Sequence, residues 1–591
     1  MVLTPRNPQK RLILFLDEVN LPKPDAYGTQ RAAALTRQLV EQRGFWRLNP
    51  DGTDCFISLQ RIQLAFACNP PTDAGRVPLP PRFLRHAPLL FVDSPTVDSL
   101  KQIYGAFARG LLRPIKSLRP CASALVGAMI EVYETSRMEL NAEKQAHYVY
   151  SPRELSRWVR ALYAALQHGE GDTSSGEIGA GRDDSGVSQT LLVRLWAYEG
   201  IRLFHDRLVA PDERAWTLSL IASAAERHFP GVGTAATAQP MLFTSWLNGD
   251  LREVEPAALS ELLRQRARAF EQEELGAPLI VFDEATEHTL RIARVLRQPV
   301  GHMLLIGASG VGKTVLTRFA AWMEGFAVHQ INASRAYTAQ RFHEDLRALL
   351  RRTGVHGERV CFIFDEANAL DASFLESMNA LLASGEVPGL FEGEEHVLLM
   401  QQCREAAQRN GVAGEQTEQD LWRTFTQHVQ RNLHVIFTMN PSGADWQGRS
   451  ATSPALFNRC VINWFGQWAQ GALLQVAAEL TKPLELSMLV GGGAAKDDAK
   501  AAAGEEAREA EIRRKLVSCL VAVYEVAAGE EAGGEQVGRA LGGRRQARNH
   551  LTSRHFLDCI SQCVAIHAAK RKGLSEDAQH LERGLSRIEQ T

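Results

Sequence analysis

Short apolar runs that end abruptly in charged or amide residues recur along this chain, and each run predicts a buried β-strand. Four patterns occur twice in the same order, which is typical of a duplicated module. They are an apolar strand ending in two acids (12–20 and 361–368), a strand ending in Asn-Pro (64–71 and 435–442), a basic turn before a strand (82–93 and 456–466) and a capped helix start (150–162 and 551–563). The pattern therefore predicts two copies of one α/β module.

The second copy begins with an element that the first copy lacks. Residues 301–314 read GHMLLIGASGVGKT, an apolar strand followed by a glycine-rich turn, and residues 315–323 have helical periodicity. In the first copy only eleven residues precede Leu12, where the strand with two acids begins. We therefore expect the first copy to lack the front half of its module.

Turn residues between apolar runs predict a hairpin ahead of the Asn-Pro strand in both copies. In residues 44–60 of the first copy, Asp51-Gly52 lies between β-prone runs, which is a strong hairpin pattern. In the second copy, residues 381–395 read LLASGEVPGLFEGEE, and the alternation of turn and apolar residues favours a hairpin over a helix. We expect the hairpin to recur in both modules.

Other stretches depart from this pattern. Residues 167–188, rich in Gly, Asp and Ser, predict a flexible insertion, and residues 491–511, rich in Ala, Glu, Lys and Gly, predict a disordered one. From Ile566 the pattern becomes helical, with Leu574, Leu581 and Ile588 at seven-residue spacing and Ala578 and Leu585 between them. Such a seam is typical of a coiled coil, although a single amphipathic helix gives the same pattern over this length.

Composition excludes several classes of protein. The chain has 591 residues, of which 45% are hydrophobic and 23% charged, as in ordinary globular proteins with several domains. The formal net charge of -2 gives no field that attracts nucleic acid or an anionic membrane, and no run of 18 or more apolar residues occurs. The nine cysteines include no CxxC pair, so they read as cytosolic thiols without a zinc cluster or disulfide framework. We expect neither a nucleic-acid nor a membrane partner.

The glycine-rich turn predicts a nucleotide site. It matches GxxxxGK[ST] between a strand and a helix, which is the context that the motif requires. Backbone N–H groups surround the phosphates there, the lysine pairs with the β/γ oxygens, and the threonine holds Mg²⁺. The alternative is a chance glycine turn. The residues predicted to bind ATP are Gly307, Ala308, Ser309, Gly310, Val311, Gly312, Lys313 and Thr314.

Polar residues at the ends of two later strands predict the remainder of this site. Asp365 and Glu366 end a buried strand, where adjacent carboxylates are costly unless a cation or substrate is present. In a P-loop protein the first acid steers Mg²⁺ and the second orients the attacking water. Alternatively, the pair only begins the next helix with favourable charge. Asn440 ends the next strand within reach of the γ-phosphate or the water, although Asn-Pro also opens turns.

The acid pair, the strand-end Asn, a later Arg and a capped helix with Arg resemble the Walker B, sensor I, arginine-finger and sensor II motifs of AAA+ ATPases. Longer segments are similar to cytoplasmic dynein heavy chains over most of the chain: DEVNLPKPDAYGTQR (17–31), ACNPPTDAGRVPLPPRFLRHAP (67–88), MNALLASGEVPGLFEGEE (378–395), RNLHVIFTMNPS (431–442) and ATSPALFNRCVINWFG (451–466). The resemblance implies an α/β fold with P-loop NTPase (AAA+) cores of three α/β/α layers, helical lid subdomains and the start of a C-terminal coiled coil.

The resemblance also implies a division of the chain and a role for particular residues. The implied domains are the third AAA module's core from its Walker B onward, without a P-loop (1–110), its lid (111–250), the fourth module's core (251–470), its lid (471–565) and the start of the stalk (566–591). The implied fourth-module residues are Lys313, Thr314, Asp365, Glu366, Asn440, Arg554 as sensor II, Arg459 as finger, and Leu279 and Ile280 against adenine. The implied third-module residues are Asp17, Glu18, Asn69, Arg153 and Arg85, with Arg82 as a substitute for Arg85.

The resemblance implies one segment of an ATP-driven, minus-end-directed microtubule motor in the cytoplasm and cytoskeleton. Expected partners are ATP with Mg²⁺, other AAA modules, the microtubule through the stalk tip, and intermediate, light intermediate and light chains through the tail. Because each finger serves a neighbour's nucleotide, we expect this chain to bind ATP but to hydrolyse it slowly or not at all alone. The alternatives are ATP as a purely structural or regulatory ligand, an axonemal dynein heavy chain, and a midasin-like AAA+ protein.

Overall fold

A computed structural model of the chain describes residues 2–5, 7, 9–22, 24–48, 52–72, 76–145, 147–167, 188–247, 249, 251–274, 279–331, 337–365, 372–409, 417–441, 454–484, 499–537 and 551–589. Two compact units divide the chain. The first unit is Met1–Ser99 with Gln447–Thr452, and the second is Leu100–Trp446 with Ser453–Thr591. No helix in the described part of the chain is long and apolar enough to cross a membrane.

The first unit contains short strands and two helices. Its elements are β1 (Val2–Leu3), β2 (Leu12–Leu16), α1 (Arg31–Gln42), β3 (Gly44–Leu48), β4 (Asp54–Leu59), β5 (Ile62–Phe66) and α2 (Pro81–Leu84). Strands β3 and β4 pair antiparallel, which confirms the hairpin expected in residues 44–60. Strand β2 pairs parallel with β5, so the strand ending in two acids lies beside the strand that leads to Asn69.

Apolar side chains of the first unit are unusually exposed. Ile13 and Phe15 of β2 are 63% and 60% exposed, and residues 89–92 (LLFV) are 73% to 87% exposed. Isolated exposed apolar residues are normal, but a contiguous run of four is not typical of a covered sheet.

The second unit begins with a helical bundle. Its elements are α3 (Val97–Leu112), a 3₁₀ turn (Lys116–Cys121), α4 (Ala122–Glu139), α5 (Pro152–Gln167), α6 (Gln189–Gly200), a π-helical turn (Ile201–His205), α7 (Pro211–His228), α8 (Gly233–Ala236), β6 (Phe243–Thr244) and β7 (Arg252–Glu253). At its centre Trp158 and Trp196 stack with ring centroids 5.3 Å apart, and both are fully buried. The flexible insertion expected at 167–188 lies almost wholly outside the described residues.

An α/β core and a second group of helices follow the bundle. The elements are α9 (Pro256–Glu274), α10 (Asp283–Arg297), β8 (Met303–Ile306), α11 (Lys313–Met323), β9 (Ala327–Gln330), α12 (Ala339–Gly354), β10 (Val360–Asp365), α13 (Ala372–Ser384), α14 (Glu394–Arg409), α15 (Glu418–Asn432), β11 (Leu433–Met439), α16 (Pro454–Arg459), β12 (Val461–Trp464), α17 (Gln470–Leu480), α18 (Ala499–Val537) and α19 (Ser553–Glu589). Helices α17 to α19 share an apolar cluster that includes Leu473, Val521 and Phe556.

The core is a five-stranded parallel sheet with helices on both faces, in the order β12-β8-β11-β10-β9. On one face Leu305, Ile363 and Ile436 pack with α10 and α11. On the other, alternate residues of the same strands, including Phe362 and Val435, pack with α12 to α15. This alternation is what a sheet covered on both sides requires, and it confirms the expected three-layer α/β/α architecture.

Buried charges join the bundle to the α/β core. Asp206, at the end of the π-helical turn, lies 3.2 Å from both Arg202 and Arg291 of α10, and its carbonyl accepts the Trp464 N–H at 2.8 Å. Burial by itself raises the pKa of Asp206, but the two guanidinium groups hold that pKa well below its usual range. Because an unpaired buried charge is costly, this contact fixes the bundle against α10 and β12.

Two expectations for the second unit are wrong. Residues 381–395 contain no strand: α13 continues to Ser384 and α14 begins at Glu394, so the apolar residues are one side of helices and a turn. The segment expected to be disordered at 491–511 becomes helical at Ala499, because its Ala, Glu, Lys and Arg residues are strong helix formers; residues 485–498 lie outside the described part. From Ile566 the chain is helical as expected, within α19, and Leu574, Leu581 and Ile588 are exposed.

Three buried histidines in the second unit are held neutral. Burial is the largest cause that lowers the pKa of His147 to about 4, of His302 to about 3 and of His434 to about 4. His302 Nδ1 accepts the Val435 N–H at 3.1 Å, and His434 Nδ1 donates to the Gly301 carbonyl at 2.8 Å. Protonation of any of them in the folded protein would place a charge in the core.

We predict that the second unit loses stability as the pH falls from about 6.5 to about 4. In this window the unfolded chain binds protons at these histidines and the folded chain does not, so each lowers the free energy of unfolding by up to about 1.4 kcal/mol per pH unit. Urea unfolding at a series of pH values measures this. In His302→Asn the amide oxygen can still accept the Val435 N–H. The slope of the free energy of unfolding against pH should therefore decrease by the contribution of one histidine. An unchanged slope would contradict the assignment.

We also predict that thermolysin, which cleaves beside apolar residues, cuts first at the exposed run 89–92. Its side chains are accessible and its backbone is not in a strand, so local unfolding is not needed before cleavage. Mass spectrometry of early fragments identifies the site. Leu90→Ser with Phe91→Ser should slow that cut without slowing later ones. Early cleavage within β8 or β11 instead would show that the exposed run is protected.

Candidate nucleotide-binding site

The loop between β8 and α11 has the backbone of a phosphate-binding turn. Gly310 and Gly312 adopt φ of 86° and 95°, in the left-handed region that favours glycine. A Cβ at position 307 would lie 2.6 Å from Phe465 Cβ, and one at position 310 would lie 2.5 Å from Arg554 Cβ. The loop therefore requires glycine at these positions, and it leads directly into the N-terminus of α11, where backbone N–H groups favour an anion.

Lys313 and Thr314 open α11 at the end of this loop. Lys313 Nζ donates to the carbonyls of Gly307 and Ala308, at 2.6 and 2.8 Å, so the ammonium group lies against the loop. Thr314, in the first turn of α11, is partly exposed. A cation and a hydroxyl thus stand together where phosphate oxygens and Mg²⁺ would be held.

The sheet order brings the polar strand ends to this loop. Strand β11 lies between β8 and β10, with Thr438 opposite both Leu305 and Asp365. The Gly307 N–H donates to the Met439 carbonyl at 3.1 Å, so the ladder continues to the start of the loop. Asn440 follows Met439 and therefore lies beside the loop, on the side toward Asp365. The expected Glu366 lies outside the described residues.

Asp365 is on the sheet face that α11 covers. Ile363, two residues earlier, packs with Val311 and Leu316 in the cluster beneath α11, and side chains two residues apart in a strand share a face. No group of three or more His, Cys, Asp or Glu side chains that could hold a metal ion occurs in the part of the chain that the structure describes. Thr314 and Asp365 fit Mg²⁺, because this ion takes few protein oxygens and keeps water and phosphate as its other ligands.

Apolar residues and one arginine complete the surroundings of the loop. Leu279 and Ile280 pack against the cluster that contains Val311 and Phe465, which gives an apolar wall suited to a base. Arg554 lies at the start of α19, and its backbone packs against Gly310. Its guanidinium is largely exposed and 4.0 Å from Asp558. Helix α19 therefore brings the backbone of this arginine to the loop.

The other candidate arginines are Arg459 and Arg153 in the second unit and Arg85 in the first. Arg459 ends α16 and donates to the Ala383 carbonyl of α13 at 3.0 Å. In the first unit Arg85 is exposed and donates to Glu41 at 3.1 Å and to His86 at 3.0 Å. Sensor II candidate Arg153 is exposed at the start of α5.

In the first unit Glu18 follows β2 and has φ of 56°, an uncommon left-handed conformation. Its carboxylate is 2.5 Å from Arg76, whose side chain is 2% exposed. Asn69 lies beside this acid turn, because its carbonyl accepts from the Asn20 side chain at 2.8 Å. Sequence reasoning missed Arg76; only its position seven residues after Asn69 could have pointed to it.

Three family models match consecutive parts of the chain. Residues 277–566 match a family model described as a P-loop containing dynein motor region D4, residues 107–214 one described as a dynein heavy chain ATPase lid domain, and residues 2–95 one described as a P-loop containing dynein motor region. These descriptions favour dynein over the midasin-like alternative.

Relatives match along the whole chain. It is 47% identical over 603 residues to a cytoplasmic dynein heavy chain of Dictyostelium discoideum and 46% identical over 592 residues to one of Drosophila melanogaster; each match covers 100% of this chain and 12% of the relative. It is 40% identical over 597 residues to dynein heavy chain-like protein 1 of Plasmodium falciparum, covering 100% of this chain and 11% of that protein. The chain thus spans about an eighth of the length of these relatives, and the names favour the cytoplasmic type over the axonemal alternative. On its motifs, its fold and these matches, the chain belongs to the dynein heavy chain family and corresponds to a part of the motor region with AAA modules.

Proposed function

We propose that the second unit binds ATP with Mg²⁺ at residues 307–314. The observation that carries this proposal is the loop itself, in which Gly307 and Gly310 leave no room for a Cβ and Lys313 lies against the loop carbonyls. Bound nucleotide would supply the phosphate oxygens that complete the magnesium shell. The chain's own groups would bind and orient them, with Thr314 and Asp365 holding the cation.

The polar groups around the loop have distinct proposed roles. Asn440, beside the loop, would hold the attacking water or the γ-phosphate, and Glu366 would accept the proton of that water. Arg554 would reach the phosphates from the lid, which supports a lid position that depends on nucleotide. Leu279 and Ile280 would pack against the adenine ring.

Arginine fingers connect this site to neighbouring modules in the proposal. A planar guanidinium suits the charge that develops on a transferred phosphoryl group. Arg459 would serve the third module's nucleotide, and Arg85 would serve the module before it. Asp17, Glu18, Asn69 and Arg153 would belong to the third module's own site.

The division proposed for the chain is the third module's core at 1–110, its lid at 111–250, the fourth module's core at 251–470, its lid at 471–565 and the start of the stalk from 566. The five-stranded sheet at the centre of 251–470 and the helical cluster of α17 to α19 support the second half of this division.

At the level of the whole protein, we propose a segment of an ATP-driven motor that moves toward microtubule minus ends in the cytoplasm. The fourth-module site would regulate a stroke generated in other modules. Partners would be the adjacent AAA modules, the microtubule through the stalk tip, and intermediate, light intermediate and light chains through the tail. The family membership of the chain supports this proposal.

We predict that Lys313→Ala weakens MgATP binding by at least about tenfold, because charge-assisted contacts to phosphate contribute about 1.5–3 kcal/mol. Isothermal titration of the purified chain with MgATP measures the Kd. Lys515→Ala is the matched control, since this lysine is exposed on α18 and pairs with Glu511 one turn away. Equal affinity of the Lys313→Ala and Lys515→Ala variants for MgATP would contradict the proposal that residues 307–314 bind the nucleotide.

We further predict that the isolated chain binds ATP but turns it over slowly. Its own site would lack an arginine finger supplied by a neighbour, a contribution worth about 10³-fold or more in related sites. Phosphate release is measured beside the nucleotide content of the purified protein, for the chain and for Glu366→Gln. Fast turnover that Glu366→Gln abolishes would contradict the expected weakness. Bound nucleotide with no turnover in either protein would favour the structural or regulatory role of ATP.

A further inference from the structure

Thr438 has a buried hydroxyl that is unexplained by the packing of β11. The residue is 2% exposed, and its Oγ1 has no hydrogen-bond partner among the described residues. Leaving a buried polar group unpaired costs about 1–3 kcal/mol. Valine has nearly the same shape, suits a central strand and would carry no such cost. The hydroxyl at this position therefore points to a partner other than the described residues of the chain.

The position of Thr438 identifies that partner. Thr438 is opposite Asp365 of β10 on one side and Leu305 of β8 on the other. Since residues opposite each other in parallel strands project to the same face, Thr438 and Asp365 both point toward α11. Ile436, two residues earlier in β11, packs in the cluster under α11 and confirms this face.

A buried threonine of the neighbouring helix α11 differs from Thr438 in its hydrogen bonding. Thr317 of α11 is also fully buried, but its hydroxyl donates to the Lys313 carbonyl at 2.8 Å. That hydroxyl is satisfied within its own helix. Thr438 belongs to a strand, where its backbone groups are engaged in the two ladders and no carbonyl of the preceding turn is within reach of the hydroxyl.

We infer that Thr438 is a further positioning residue of the nucleotide site. When MgATP is bound, its hydroxyl would form a hydrogen bond with a water ligand of Mg²⁺, on the sheet face that also carries Asp365. Mg²⁺ keeps several water ligands and requires near-octahedral geometry, so a group that orients one such water strengthens binding of the ion. This inference rests on the proposed binding of MgATP, and it adds a residue that the sequence motifs do not include.

The test separates magnesium-dependent from magnesium-independent binding of ATP. The Kd for ATP is measured on the full chain with Mg²⁺ and with EDTA, and the ratio of the two gives the gain from magnesium. Thr438→Val should lower this gain about tenfold and leave the Kd in EDTA unchanged. Thr438→Ser, which restores the hydroxyl, should recover most of the gain.

Two controls make the result specific to the hydroxyl. Thr353→Val removes another fully buried hydroxyl, which donates to the Leu349 carbonyl within α12, and should leave the gain unchanged. Melting temperatures without nucleotide report whether each variant is folded. If Thr438→Val does not fold, Thr438→Ala takes its place with the same expectation, again compared with Thr438→Ser.

A magnesium gain in Thr438→Val equal to that of the parent chain overturns the inference, as does a Thr438→Ser variant as defective as Thr438→Val. A rise of the Kd in EDTA equal to the rise with Mg²⁺ also overturns it, since it indicates a structural effect on the loop. Asp365→Asn distinguishes the two levels of the argument. Suppose that Mg²⁺ strengthens ATP binding by the parent chain, and that Asp365→Asn removes this effect while Thr438→Val does not. Only the inferred role of Thr438 is then contradicted. If the parent chain shows no gain, the proposed magnesium site falls with it.

Discussion

The candidate site depends on the hydrogen-bond ladders that hold β11 between β8 and β10. All seven residues of β11 are buried, and both neighbours run parallel to it. The carboxyl ends of the three strands therefore meet at one edge, where the glycine loop, Asn440 and Asp365 follow one another. A slip of a single residue in the ladder between β10 and β11 would turn Asp365 to the opposite face, away from α11 and Thr438. Strand register therefore determines where the side chains of the site lie.

The buried charges around Asp206 set a different constraint. They join the helical bundle that follows the first copy to α10 and β12 of the second copy's core. Because removing one member leaves its partners charged and buried, such a contact resists rearrangement. This explains why the bundle forms one compact unit with the α/β core that comes after it in the chain, although the repeat in the sequence groups it with the copy before it.

Much of the site could be predicted from the sequence, and the rest could not for physical reasons. The sequence predicts the glycine loop because glycines follow an apolar run. It predicts Asp365 and Asn440 because each places a polar group at the end of an apolar run, where burial is costly. The hairpin predicted at 381–395 is wrong because a short alternation of turn and apolar residues also fits the end of one helix and the start of another. The start of helix α18 is not predicted because the low complexity of residues 491–511 is also typical of disordered segments, although Ala, Glu and Lys are strong helix formers. Thr438 matches no sequence motif and Arg76 only a spacing from Asn69, because what distinguishes both residues is burial and the neighbours that the fold brings near.

Corresponding strands of the two copies differ in their neighbours and in their exposure. In the second unit β8 pairs with both β11 and β12, and its four residues are buried. In the first copy, β5 and the run 89–92 correspond in sequence to β11 and β12. Among the described residues the run 89–92 is not part of a strand, and its side chains are exposed. In the acid pair of the first copy, Glu18 forms an ion pair with the buried Arg76. The carboxylate that follows the acid strand of the first copy is therefore neutralised by an arginine of its own unit, whereas the corresponding strand of the second copy ends at the sheet edge that carries the glycine loop.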